Sequence, residues 1–172
     1  MAKGVSQKKL DKGLIKSLEK EDLSLAEKFL KAGANSNHYQ TNIFTKDRST
    51  ASIVMGKDHL KMLQLLITYG FDQNQTLEIL GIVHVPLILF SALHDNKKTL
   101  KLLAEDIKTD FNIEYSSTNL VFELDMANEE QLLTISRLSA STLAIIKNAV
   151  PIRAEKERAL KQQKIRDTKF KF

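Results

Sequence analysis

The sequence predicts an all-α fold: a solenoid of antiparallel helix pairs, three to four repeats long, with a capping helix and a basic C-terminal helix or tail. Three observations predict it. A word that ends an apolar helical segment and closes on asparagine recurs, as "FLKAGANSN" at 29–37, "LLITYGFDQN" at 65–74 and, worn down, "LLAEDIKTDFN" at 102–112. Its closing residues Asn37, Asn74 and Asn112 stand 37 and 38 residues apart, and a fixed period of about 20 to 50 residues marks a repeat architecture. Each word also closes an amphipathic segment that follows a shorter apolar one, so every period holds two helices.

The longer segments place Leu23, Leu25, Ala26, Phe29 and Leu30, then Leu60, Leu63, Leu66 and Ile67, then Leu100, Leu102, Leu103 and Ile107 at spacings of three and four. Such spacing gathers apolar side chains on one helical face. The shorter segments carry Leu14, Ile15 and Leu18, then Ala51, Ile53, Val54 and Met55, then Leu87, Leu89, Phe90 and Leu93. Polar joints at 19–22, 56–58 and 94–98 are short enough to force each pair antiparallel. Gly33 and Gly70 are placed to stop their helices, because glycine adopts the left-handed conformation of a helix C-terminus without steric penalty. A fourth unit is expected over "TNLVFELDMANEEQLLTI", with Asn128 as helix cap and Gln131 three residues on. The next segment, "SASTLAIIKNAV", is expected to stop before Pro151, its Leu143, Ile145 and Ile146 closing the stack.

At 172 residues, 42% hydrophobic and 27% charged, the chain is long enough for one domain with a real core. Residues 1–150 are read as the repeat domain and 151–172 as a basic helix or tail. No apolar run is long enough for a transmembrane segment, and "MAKGVSQKKLDKGL" holds no apolar stretch of signal-peptide length. The absence of cysteine excludes disulfides and thiol chemistry and fits a cytoplasmic location. The segment 151–172 holds eight basic residues against Glu155, Glu157 and Asp167, a surplus of five that equals the formal +5 of the whole chain.

The pattern resembles the ankyrin repeat over residues 10–135: "GANSN" at 33–37 and "GFDQN" at 70–74 are similar to that family's helix stop, and "TDFN" at 109–112 to its end. The family's Thr-Pro-Leu-His opening survives only in fragments, "STAS" at 49–52, "VPLI" at 85–88 and "TNLV" at 118–121, without the histidine. Another antiparallel helical-pair solenoid is the structural alternative. The resemblance implies a non-catalytic scaffold that binds a partner protein through its fingers and concave face. The first finger supplies the candidate contacts Tyr39, Ile43, Phe44, Lys46 and Arg48, residue types that dominate interfaces, although Ile43 and Phe44 have the alternative of folding back over the adjacent helices. Small lysine- and asparagine-rich proteins of this kind resemble bacterial effectors, and Phe170 near a polar end resembles a type IV secretion signal, which implies translocation into a host cell.

No nucleotide-binding or nucleophile motif occurs, so neither an enzyme nor a cofactor is expected. The four histidines, His38, His59, His84 and His94, are scattered without a ligand spacing, so no metal is expected. The second finger, 75–85, is apolar, and burial competes with an exposed patch at Leu77, Ile79, Ile82 and Val83; Gly81 is its turn residue. In the tail, Arg153, Lys156, Arg158, Lys161, Lys164, Arg166, Lys169 and Lys171 are the candidates for holding nucleic acid or an anionic membrane. Ile152, Leu160 and Ile165 share no helical face, which leaves a solvated, solubilising helix as the competing reading.

Overall fold

The computed structural model describes residues 6–40, 48–56, 59–79, 83–117, 120–135 and 137–169. Among them helix predominates, and a helix pair followed by a two-stranded hairpin occurs three times. The pairs are α1 (Gln7–Glu19) with α2 (Leu23–Lys31), α3 (Thr50–Gly56) with α4 (Leu60–Thr68), and α5 (Leu87–Leu93) with α6 (Lys97–Glu105). After them come the hairpins β1–β2 (Tyr39–Gln40, Arg48–Ser49), β3–β4 (Thr76–Ile79, Val83–Pro86) and β5–β6 (Asn112–Ser117, Leu120–Asp125), all antiparallel. A short α7 (Glu129–Thr134) and a long α8 (Ala140–Lys169) complete the chain. No helix among the described residues is long and apolar enough to cross a membrane.

The chain divides into two compact units, Met1–Leu87 and Ile88–Phe172. In the first, α3 packs on α1 and α4 on α2, so the two pairs stack. Leu14 and Leu18 of α1, Ala26 of α2, Met55 of α3, and Leu63 and Leu66 of α4 are almost fully buried, as their spacing requires. Leu23 and Leu25 are not: Leu25 lies about 100° off the buried stripe of Ala26 with Leu30, and Leu23, although at the spacing of that stripe, is the first residue of the helix. Phe29 approaches α1 at Gly13, where an added Cβ would lie 2.3 Å from the ring. In the second unit α8 packs on α6, and Leu100, Leu103, Met126, Leu132 and Ile146 form the core.

The helix stops are as the glycines predict. Gly33 and Gly70 sit at φ +96° and +83°. Behind α2, Gly33 N donates to Leu30 O at 3.0 Å and Ala34 N to Phe29 O at 2.9 Å; behind α4, Gly70 N donates to Ile67 O at 3.1 Å and Phe71 N to Leu66 O at 3.0 Å. This paired reach-back satisfies carbonyls that a helix end otherwise leaves without donors. The asparagines have their own reason. In each word the side chain two residues earlier accepts from the closing asparagine's N–H at 2.9 Å: Asn35 for Asn37, Asp72 for Asn74, and Asp110 for Asn112. A side-chain turn of this kind bends the backbone from the helix stop into the hairpin.

Two joints hold a non-glycine residue in left-handed conformation, Glu21 at φ +62° and Asp95 at +55°. Each reaches the helix start of the next pair within its own unit. A Glu21 carboxylate oxygen lies 3.1 Å from His59 Nε2. Asp95 accepts from Thr142 Oγ1 at 2.7 Å and Ser139 Oγ at 2.9 Å, while Ser139 caps α8 by accepting from Thr142 N at 3.2 Å. These hydroxyl donors, with Lys97 adding to them, hold the Asp95 carboxyl below its ordinary value.

Two expectations are corrected. Residues 120–125 are a strand rather than the opening of a fourth unit, so the fourth helix pair begins at α7; its cap Asn128 accepts from Glu130 N and Gln131 N, as expected. The fold is largely α, and its short hairpins stand where the fingers between helix pairs are expected. Finally, α8 does not stop at Pro151 but runs through it. Strong helix formers follow the proline, and the turn beyond it is held by α6, so packing outweighs the break a lone proline imposes.

Replacement of Gly70 by alanine is expected to destabilise the fold by about 1–2 kcal/mol, the penalty of a left-handed non-glycine residue. The penalty is conformational, since nothing lies within 4 Å of the added methyl. A urea midpoint equal to the parent's would refute the assignment. For Asp95, the lowered pKa means its contribution is present above the unfolded carboxyl value and lost as pH falls through the folded one. Asp95→Asn keeps the acceptor but not the charge, so urea midpoints at pH 7 and pH 3 should differ less in this variant than in the parent.

Candidate functional site

The first candidate surface is the β1–β2 hairpin, and its base is fixed by polar contacts inside the first unit. Asp11 of α1, a buried carboxylate, accepts from Gln7 Nε2 and Asn35 N, each at 2.8 Å, and its second oxygen lies 3.4 Å from His38 Nδ1. Asn37 then bridges to the following stop: its Nδ2 donates to Gly70 O at 3.0 Å and its Oδ1 accepts from Asp72 N at 2.6 Å. Ser36 Oγ donates to Tyr69 O at 3.0 Å, and Thr50 Oγ1 to Ser36 O at 2.7 Å. On the far side Ser49 and Ser52 bond reciprocally, Ser49 N to Ser52 Oγ at 3.0 Å and Ser52 N to Ser49 Oγ at 2.9 Å, which caps α3.

From this base Tyr39 stands 50% exposed, enough of its ring to offer a contact. It pairs with Ser49 across the hairpin, whereas Arg48 pairs with Gln40. Tyr39 and Arg48 therefore occupy alternate register positions rather than one cross-strand pair. The remaining candidates, Ile43, Phe44 and Lys46, lie outside the described residues.

The eight basic residues of 151–172 divide into two kinds. Arg153 and Lys156 are consumed inside the second unit, at the end of α6, where the worn-down word lacks the glycine of the other two. Arg153 Nη1 donates to Asp106 O and Nη2 to Thr109 O, the latter at 2.6 Å; Lys156 Nζ donates to Glu105 O at 2.8 Å. The guanidinium also lies 4.1 Å from the ring centroid of Phe111, a cation–π contact. Burial lowers its pKa, against the pull of Glu157, Asp106 and Asp110, yet a guanidinium remains charged at any physiological pH. Arg158, Lys161, Lys164 and Arg166 are exposed. Lys169 is the last residue of α8, and Lys171 lies outside the described residues.

One feature of the second unit had no counterpart in the expectations. The β5–β6 hairpin carries an open groove of about 410 Å³ lined by Glu114, Glu123, Asp125 and Gln131, with Glu114 directly opposite Glu123. Alternation of Ile113 with Glu114 and of Leu124 with Glu123 was the available signal, a period of two inside a segment read for helices. Of the second-finger candidates Leu77 is buried; Ile79 and Val83 lie in β3 and β4, and Ile82 and the turn residue Gly81 lie outside the described residues. The histidines lie in separate settings: His38 beside Asp11, His59 beside Glu21, and His94 with its ring centroid 4.2 Å from that of Phe90.

Arg153→Gln should destabilise the fold by about 1.5–3 kcal/mol, the range for hydrogen bonds from a charged donor. Arg153→Lys should recover little, because an ammonium cannot fork between two carbonyls. Lys161→Gln, on the exposed stretch, should leave the urea midpoint within about 0.5 kcal/mol of the parent. Equal midpoints for all three variants would remove the capping role. No family model matches the chain, and no curated protein matches it.

Proposed function

We propose that the chain is a non-catalytic interaction scaffold, an ankyrin-type solenoid that binds a partner protein through its first hairpin and the adjoining helices. The observation that carries this reading is the threefold recurrence of helix pair, side-chain turn and hairpin. In such repeats the helices supply the rigid stack and the hairpins a variable surface. The β1–β2 hairpin suits a contact role because its base is over-determined by hydrogen bonds while Tyr39 is left half exposed. An anchor held this way loses little conformational entropy on binding.

The test is comparison of the parent with a Tyr39→Ala, Phe44→Ala, Arg48→Ala variant as baits in eukaryotic lysate. A protein retained by the parent through a high-salt wash should be recovered at least tenfold less by the variant, with unchanged helical circular dichroism. Equal recovery of every retained protein would place the contact elsewhere.

A further inference from the structure

Beyond Lys156, which docks on α6, α8 continues as a helix whose side chains are all exposed from Glu157 to Thr168, a length of about 18 Å at 1.5 Å per residue. A helix that buries no face lacks the usual reason for a helix to persist, and its composition shows what would cover it. Arg158, Lys161, Lys164 and Arg166 are spread over about 200° of its circumference at 100° per residue. Between 158 and 168 the only acidic residue is Asp167, while Glu157 is drawn electrostatically to Arg153. Leu160 and Ile165, 44% and 57% exposed, stand about 140° apart. That excludes both a coiled-coil seam and the continuous apolar face with which a helix lies in a membrane surface.

Cations on both flanks and the front of one helix fit a partner that surrounds it with negative charge. A flat anionic surface meets one side only. The major groove of B-form DNA is about 12 Å wide, matches a helix of about 10–12 Å with its side chains, and is walled by phosphates on both edges. The deep, narrow major groove of duplex RNA does not admit one. We infer that the exposed length of α8 is a DNA-binding arm that lies in the major groove and pairs Arg158, Lys161, Lys164 and Arg166 with backbone phosphates, independently of base sequence. The inference goes beyond the hairpin scaffold and does not rest on it.

The experiment is fluorescence anisotropy of the full chain with a labelled duplex DNA of about 20 base pairs. Neutralisation of about four phosphates predicts that affinity falls about a hundredfold between 50 and 200 mM salt. The variant Arg158→Gln, Lys161→Gln, Lys164→Gln, Arg166→Gln should bind at least tenfold more weakly at 50 mM salt and lose most of the salt dependence. Its helical circular dichroism and urea midpoint should stay near the parent's, since none of the four side chains is buried. The variant Lys8→Gln, Lys12→Gln, Lys16→Gln, which removes exposed lysines of α1, should retain the parent affinity. The inference is overturned if the parent does not bind DNA at 50 mM salt, if the α8 variant binds as the parent does, or if the α1 variant loses the binding instead. Equal or tighter binding to duplex RNA or to anionic phosphatidylserine vesicles would overturn it as well.

Discussion

The last carbonyls of α2, α4 and α6 must find donors at the place where the chain turns sharply away into a hairpin, and the repeated architecture depends on how that is met. In α2 and α4 the donors are local: the next two backbone N–H groups reach back because Gly33 and Gly70 adopt positive φ. In α6 the chain has no glycine to do this: Asp106 N reaches back to Leu103 O, while the carbonyls of Ala104 and Glu105 take donors from a distance, from Arg153 and Lys156 of α8. The first two stops are therefore complete within one helix pair. The third is complete only when a segment some fifty residues later has folded against it, as the sequence separation of Lys156 from Glu105, 51 residues, records. An uncapped helix end in this position would leave several carbonyls without donors at the edge of a core, a penalty comparable to several lost hydrogen bonds.

Once the stops are made, neighbouring pairs are registered by polar side chains at both ends of the helices. At the hairpin end Asn37 and Ser36 bond to backbone groups of the following stop, at Gly70, Asp72 and Tyr69. At the joint end Glu21 faces His59, and Asp95 accepts from Ser139 and Thr142. These joint contacts, Glu21 beside His59 and Asp95 on two hydroxyls, fix where the next helix begins. The bonds to backbone are more restrictive, because a carbonyl or N–H group fixes direction as well as distance. Asn37 shows this: one side chain satisfies a donor and an acceptor of the next stop together, which sets the spacing of the two words.

Helix existence, pairing and stops were legible because each rests on a local signal: apolar spacing of three and four, short polar joints, and glycine before Asn37 and Asn74. The side-chain turn was visible in the letters, as Asn35, Asp72 and Asp110 two residues before each asparagine, but its meaning needed the hydrogen bonds. What escaped the sequence was non-local. Residues 112–125 read weakly because the fragment "TNLV" at 118–121 resembles the opening of a fourth unit, whereas Leu120–Asp125 is the second strand of the third hairpin. Pro151 read as a stop because its local penalty is evident, whereas the contacts that carry α8 past it lie on α6. The eight basic residues looked equivalent for the same reason, and only their three-dimensional neighbours separate Arg153 and Lys156 from the rest. Of the first-finger candidates, Tyr39 emerges exposed, while composition alone could not show that Arg48 belongs to a different cross-strand pair.

The same contacts that complete the third stop also determine what the end of the chain presents. A helix of about a dozen residues without a packed face is marginal in water, chiefly because its first turn is unfavourable to nucleate. In α8 that turn is already made: Ile146 and Ala149 are buried, and Arg153 and Lys156 pin the following turn to the end of α6. The exposed residues beyond Lys156 then propagate an existing helix, a step that composition rich in alanine, lysine, glutamine and arginine favours. A cationic segment with no such anchor would sample many conformations and point its charges in no fixed arrangement. Anchored, it carries Arg158, Lys161, Lys164 and Arg166 at the angular spacing of one continuous helix. The missing glycine at the end of α6 thus has a positive counterpart, since the side chains recruited to replace it are those that anchor the exposed length of α8.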